Sequence, residues 1–123
     1  MNDEQSKTVI LCKAGALRWG TVSQHFAHAP NAVTILIDHD GTAASNFWEA
    51  ELSHLEVRWP EFREALDKVL PGGIDAATLH TIDLRSHVRP SRAILHFETT
   101  QDAFDWFVRL REDCTIETAG PKD

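Results

Sequence analysis

TVILCKAGALRWGTVSQHFAHAPNAVTILI, residues 8–37, is the stretch whose reading decides the fold. Its opening run from Thr8 to Cys12 is β-branched and apolar, and it lies between a polar tail and Gly15, which is the signature of a buried strand. Trp19, Val22, Phe26 and Ala29 then recur at spacings of three and four, the pattern of one helix face, and Pro30 ends it. The run from Ala32 to Ile37 makes a second strand. Strand, helix, strand in that order predicts a crossover that lays the two strands parallel.

Reading outward, the turn Asp38-His39-Asp40-Gly41 leads into a long helix. Asn46 with Glu49 fits a capping box, and Trp48, Leu52, Leu55 and Trp59 follow on one face. Pro60 is expected to break or kink this helix, after which Phe62, Leu66 and Val69 continue an apolar stripe until Pro71-Gly72-Gly73 stops it. Leu79 to Arg85 and Arg92 to Glu98 read as two strands joined by a loop over residues 86–91. Alternation puts His80, Ile82 and Leu84 on one face of the first strand. On the second it puts Ala93, Leu95 and Phe97 on one face and His96 on the other. A last helix capped by Thr99 and Asp102 would carry Phe104, Phe107 and Leu110 inward, and residues 114–117 would add an edge strand.

The expected order is therefore β-α-β-α-β-β-α-β. That order predicts an α+β fold in which helices pack on one face of a single mixed sheet, ferredoxin-like or a related sandwich. The length of 123 residues suits one domain over the whole chain, with flexible tails at 1–7 and 119–123. No apolar run reaches the length needed to span a bilayer, and the start of the chain is polar and acidic, so a cytoplasmic protein with no membrane partner is expected. Cys12 and Cys114 form no Cys-x-x-Cys pattern, and reduced thiols are expected.

Nineteen acidic against twelve basic side chains give a formal charge of −7, which repels nucleic-acid backbones and favours a basic partner. His25 and His28 would share a helix face at i, i+3, but no third ligand accompanies them at a recognisable spacing, so no metal site is expected. No glycine-rich phosphate loop, G-x-S-x-G elbow or H-E-x-x-H pair is present, and no cofactor is expected.

One motif points towards catalysis. The strand Thr34 to Ile37 empties into Asp38-His39-Asp40-Gly41-Thr42, and D-x-D-G-T after a strand resembles the first motif of haloacid-dehalogenase-type phosphatases. The resemblance covers about nine residues. It implies Asp38 as nucleophile, Asp40 as general acid/base and Mg²⁺ as the neutralising ion, together with a later lysine and a downstream acidic pair on further parallel strands. Read without the family, the same residues make a turn and start a helix, since Asp caps backbone groups and Gly tolerates positive φ.

Two charged surfaces point towards binding. Arg85, Arg89 and Arg92 concentrate positive charge around the loop between two strands, where they would grip a phosphate or acidic group, or stand solvated at a sheet edge. The long helix carries Trp48 and Trp59 among Glu49, Glu51 and Glu56, and an aromatic anchor ringed by steering charge is what a surface meeting a basic protein uses. The expected function is a small acidic, non-catalytic binding module that docks on a basic protein and inhibits it, as immunity proteins and inhibitors do as a class. Its partner-binding residues would be Trp48, Glu49, Glu51, Glu56 and Trp59, on a monomer or homodimer. The alternatives are a Mg²⁺-dependent phosphatase or phosphotransferase built on Asp38 and Asp40, and a homo-oligomeric sensor or subunit whose sheet is completed by a second copy.

Overall fold

The computed structural model describes residues 10–14, 17–38, 48–85, 92–100, 105–113 and 115–121. Seven strands make one mixed sheet in chain order, β1 (Ile10–Ala14), β2 (Leu17–Gln24), β3 (Val33–Asp38), β4 (Ala77–Asp83), β5 (Ala93–Thr99), β6 (Trp106–Leu110) and β7 (Ile116–Pro121). A single α-helix among the described residues, α1 (Trp48–Val69), connects β3 to β4, and a short 3-10 turn at Ile74–Ala76 precedes β4. Every neighbouring pair is antiparallel except β3 and β4. That exception follows from connectivity, because only a crossover of helical length returns the chain to start a parallel neighbour.

The α+β class stands, but the β-α-β-α order and the ferredoxin-like arrangement do not. Residues expected to form a first helix instead make β2, which pairs with β1 from Ile10↔Thr21 to Ala14↔Leu17 and with β3 from Trp19↔Asp38 to Gln24↔Val33. The helical spacing of Trp19, Val22, Phe26 and Ala29 is real, yet Gly20, Thr21, Val22 and Ser23 are all poor helix formers. Burial follows period two there, with Gly20 and Val22 inside and Ser23 outside. Phe26 and Ala29 are buried from the turn beyond the strand rather than from a helix.

The expected last helix is likewise a strand over its described part, since Trp106–Leu110 forms β6 between β5 and β7. Phe107 and Leu110 are three apart, but aromatic and branched side chains in Trp106-Phe107-Val108 favour a pleated surface, and Val108 and Leu110 alternate inward. The strand β7 takes in Ala119, Gly120 and Pro121 of the expected tail; residues 1–7 and 122–123 lie outside the described residues. So do the Asn46 cap, Asp102 and Phe104, the loop over 86–91, and Cys114. Cys12 is a free thiol.

The long helix runs through Pro60 without a break. Proline at that position removes the N–H that would bond the carbonyl of Glu56 four residues earlier. His28 supplies the missing donor, with its Nε2 2.9 Å from the Glu56 carbonyl oxygen. The same ring stacks on Trp59 at 5.2 Å with 6° between the planes, so one imidazole caps the interrupted ladder and covers the core's edge. The turn after the helix carries Gly72 and Gly73, with φ 79° and 87°, and Asp67 Oδ1 accepts the Ile74 N–H at 2.9 Å.

One face of the sheet carries the core. Trp48, Leu52, Leu55, Trp59, Phe62 and Leu66 of α1 pack on Val22, Val33, Ile35, Ile37, Leu79, Ile82, Leu95, Phe97, Val108 and Leu110. Each large side chain so buried contributes about 1.5–3 kcal/mol in transfer terms, which is why the apolar stripe of α1 fixes the side of the sheet on which it lies. Phe26 and Phe62 both meet Trp59 edge-on, at 5.4 and 5.1 Å. No helix of the described residues is long and apolar enough to cross a membrane.

Candidate functional site

Two surfaces remain once the core is assigned: the outward face of α1 and the sheet face that α1 does not cover. On α1, the residues singled out from the sequence part company. Trp48 and Trp59 are each 4% exposed and belong to the core. Glu51 pairs with Arg92, Oε1 to Nε at 3.0 Å, which ties an expected docking acid to an expected basic-loop cation within the molecule. Arg92 also donates to the Glu112 carbonyl at 2.9 Å. Glu56 accepts the Ala27 backbone N–H at 2.7 Å, so it holds the β2–β3 turn against the helix. Among the expected docking acids Glu49 alone is exposed, and Glu51 and Glu56 are half-buried.

The helix nevertheless presents an acidic outer surface. Val57 is 76% exposed, on the side opposite the buried stripe, and Glu61 and Glu64 follow it at i+4 and i+7 on the same side. Arg58 is drawn to Glu61 at 2.9 Å and Arg63 to Asp75 at 3.4 Å, so two of the helix's cations are already engaged by neighbouring carboxylates.

The uncovered sheet face is built by one irregularity. Between β4 and β5 the register steps from Leu79↔Phe97 to Thr81↔His96, leaving His80 as an extra residue. In such a bulge the two consecutive side chains turn to the same side. His80 therefore leaves the Ile82 and Leu84 face, where simple alternation put it, and joins Thr81 on the face of His96. His80 Nδ1 lies 2.8 Å from Thr81 Oγ1, and its Nε2 lies 3.2 Å from Asp105 Oδ2, an ion-pair distance off the line of a good hydrogen bond. The rings of His80 and His96 are 6.4 Å apart and 29° from coplanar.

Beside them Asp83 is 2% exposed although it sits on the uncovered face. Its carboxylate accepts three bonds from Arg85: the backbone N–H at 3.0 Å and Nε at 2.9 Å on Oδ1, and Nη2 at 2.8 Å on Oδ2. The Arg85 guanidinium is held above its ordinary pKa chiefly by this hydrogen bonding to Asp83, with the charges of Asp83 and Asp38 adding and burial opposing. It also lies over the Trp19 ring at 5.7 Å. Asp83 and Arg85, with Thr34, Leu36, His80, Thr81, Ile94 and His96, line an open cavity of about 420 Å³.

No protein family, curated protein or solved structure matches the chain. The reading of its surfaces rests on their chemistry.

The remaining expected residues are placed as follows. Asp38 ends β3 on the uncovered face, opposite Trp19 in the register, and Asp40 lies outside the described residues. The phosphatase resemblance implies further parallel strands around this motif, whereas β3 has one parallel neighbour, β4, and one antiparallel, β2. Lys68 is exposed in the last turn of α1. Arg89 lies outside the described residues, so of the basic loop Arg85 and Arg92 are seen, each tied to a carboxylate. His25 is exposed, and His28 is occupied by Glu56 and Trp59. Among the described residues no three His, Cys, Asp or Glu side chains gather as a metal site. Sequence reading missed Asp83 and the pairing of His80 with Thr81 and His96. The signal for Asp83 was present, as a lone acid within an apolar strand two residues before an arginine. The bulge left no comparable mark.

Proposed function

We propose that the protein is a non-catalytic binding module that docks on a basic protein through the outward face of α1, and inhibits that partner where the docked surface is its working one. What supports this reading is the placement of Val57, exposed at 76%, with Glu61 and Glu64 on the same side of α1 and exposed Glu49 in its first turn. An apolar contact ringed by carboxylates desolvates well at its centre, while the charges steer a cationic partner at longer range. The anchoring role expected of Trp48 and Trp59 passes in this reading to Val57, because the core already holds both indoles.

On α1 the exposed acids Glu49, Glu61, Glu64 and Asp67 outnumber the bases Arg58, Arg63 and Lys68, two of which are engaged. The outer face therefore keeps a net negative field in a chain whose formal charge is −7. The test is capture from native lysate by the wild-type chain and by Glu49→Lys/Glu64→Lys, followed by Val57→Asp, at low and high salt. Basic chains retained at low salt by the wild type and lost from both variants are expected. The same chains captured equally by all three proteins would remove this face from consideration.

A further inference from the structure

We propose that the cleft at the Pro60 turn of α1 is a binding site for a free α-amino acid with a large apolar side chain. Residues of α1, of the turn at Ile74–Ala76, of β4 and β5 and of the β2–β3 turn line it together, around a volume of about 280 Å³. Ligand pockets usually start at about 300 Å³, and a cavity of about 150 Å³ already holds benzene. The cleft therefore suits one ring or branched side chain with a short polar end.

The lining divides by chemistry. Trp59, Leu79 and Phe97 belong to it and are buried, and Leu79 lies opposite Phe97 in the β4–β5 register, so the inner lining is apolar and aromatic. An apolar side chain placed against these groups leaves water and gains ring contacts. His28 also lines the cleft, but its Nε2 is given to the Glu56 carbonyl and its ring face to Trp59. The charged groups of the lining are Arg63 and Asp75. Arg63 Nη2 lies 3.4 Å from Asp75 Oδ1, and the two side chains are 51% and 93% exposed. A pair so long and so solvated holds its members weakly. One such contact also leaves most of the five guanidinium N–H groups, and the second carboxylate oxygen, open to a ligand.

This pair selects the ligand's polar end. A simple anion would meet Asp75, and a simple cation would meet Arg63. An α-amino acid carries its carboxylate and its ammonium on one carbon, so it presents one to Arg63 and the other to Asp75 at once. The four charges then alternate in sign, with charge-assisted hydrogen bonds between neighbours. The side chain on the same carbon is left to enter the apolar lining.

The experiment titrates L-phenylalanine, phenylalaninamide, N-acetylphenylalanine and glycine separately into the isotopically labelled full chain at about pH 6, where an α-amino group is protonated. The Trp59 indole, Leu79 methyl and Arg63 Nε–H resonances are followed by NMR. Phenylalanine is expected to shift all three saturably, with a dissociation constant on the order of 1 mM for so small a ligand. The amide lacks the carboxylate, the acetyl derivative the ammonium and glycine the side chain, and each should bind at least about fivefold more weakly. Arg63→Gln should weaken phenylalanine about fivefold and bring it level with the amide, and Asp75→Asn should weaken it as much and bring it level with the acetyl derivative. Both side chains are exposed, so the amide spectrum of either variant should remain that of the folded chain. No saturable shift with phenylalanine, binding of the amide or the acetyl derivative as tight as that of the amino acid, or unchanged affinity in the two variants would each overturn the proposal.

Discussion

At the scale of single residues, the chain's least ordinary feature is a carboxylate buried on the sheet face opposite α1. Arg85 meets the Asp83 carboxylate there with two side-chain bonds and a backbone one. Removing one member of such a pair leaves the other desolvated and uncompensated. Arg85→Gln should therefore lower stability by about 3 kcal/mol in urea unfolding, and Asp83→Asn/Arg85→Gln should recover more than half of that loss. A double variant no more stable than the single one would mean that Asp83 is not held by Arg85. A second carboxylate gives a pH prediction. The Asp113 carboxyl is held below the usual aspartate range, mainly by the Thr115 hydroxyl at 2.6 Å and then by the Thr115 backbone N–H at 3.0 Å, with Arg111 adding. A folded-state pKa below the unfolded one contributes stability above the ordinary aspartate range and loses it as pH falls through the lowered value. A carboxyl NMR titration should place the Asp113 midpoint below that range, and Thr115→Val should move it back up; a midpoint unmoved by that substitution would contradict the assignment.

At the scale of elements, α1 is held in place as much by its ends and interruptions as by its apolar stripe. Gly73 has φ 87°, and a Cβ there would come within 2.8 Å of Asp67 Oδ1, the atom that accepts the Ile74 N–H. Gly73→Ala should cost about 1–2 kcal/mol, from the strained backbone and the lost acceptor together, measured as a shift of the urea midpoint at unchanged slope. A neutral outcome would mean that the turn after α1 rearranges freely. This helix was legible in the sequence because Trp48, Leu52, Leu55, Trp59, Phe62 and Leu66 keep one period over many turns. Its continuity was not, because the donor that repairs the Pro60 gap comes from His28, far away in sequence. The hairpin β4–β5 was also legible, from alternation on both strands. Elements β2 and β6 were misread for a common reason: a few apolar residues at helical spacing in a short window do not exclude a strand, and pairing partners decide between the two. The candidate cavity was illegible for a third reason, since a one-residue bulge at His80 inverts the face of a side chain without changing composition or period.

At the scale of the whole molecule, the sheet is covered on one side by α1 and dressed on the other with threonine, histidine, aspartate and arginine. The large apolar side chains left exposed among the described residues are Ile10 at 63% and Val57 at 76%, which belong to different surfaces and form no common patch. Sedimentation at micromolar concentration should accordingly give a monomer of 13.8 kDa. A stable dimer would instead support completion of the sheet by a second copy. In the proposed docking, the charge of the acidic outer face of α1 should show first in the rate of encounter. The most direct measurement is the association rate of a captured basic partner with the immobilised chain, taken at about 50 and about 500 mM salt, where screening lengths differ severalfold. The rate should fall by about tenfold or more between the two for the wild type. In Glu49→Lys/Glu64→Lys it should start low and change little with salt. An association rate indifferent both to salt and to the two reversals would contradict docking through α1.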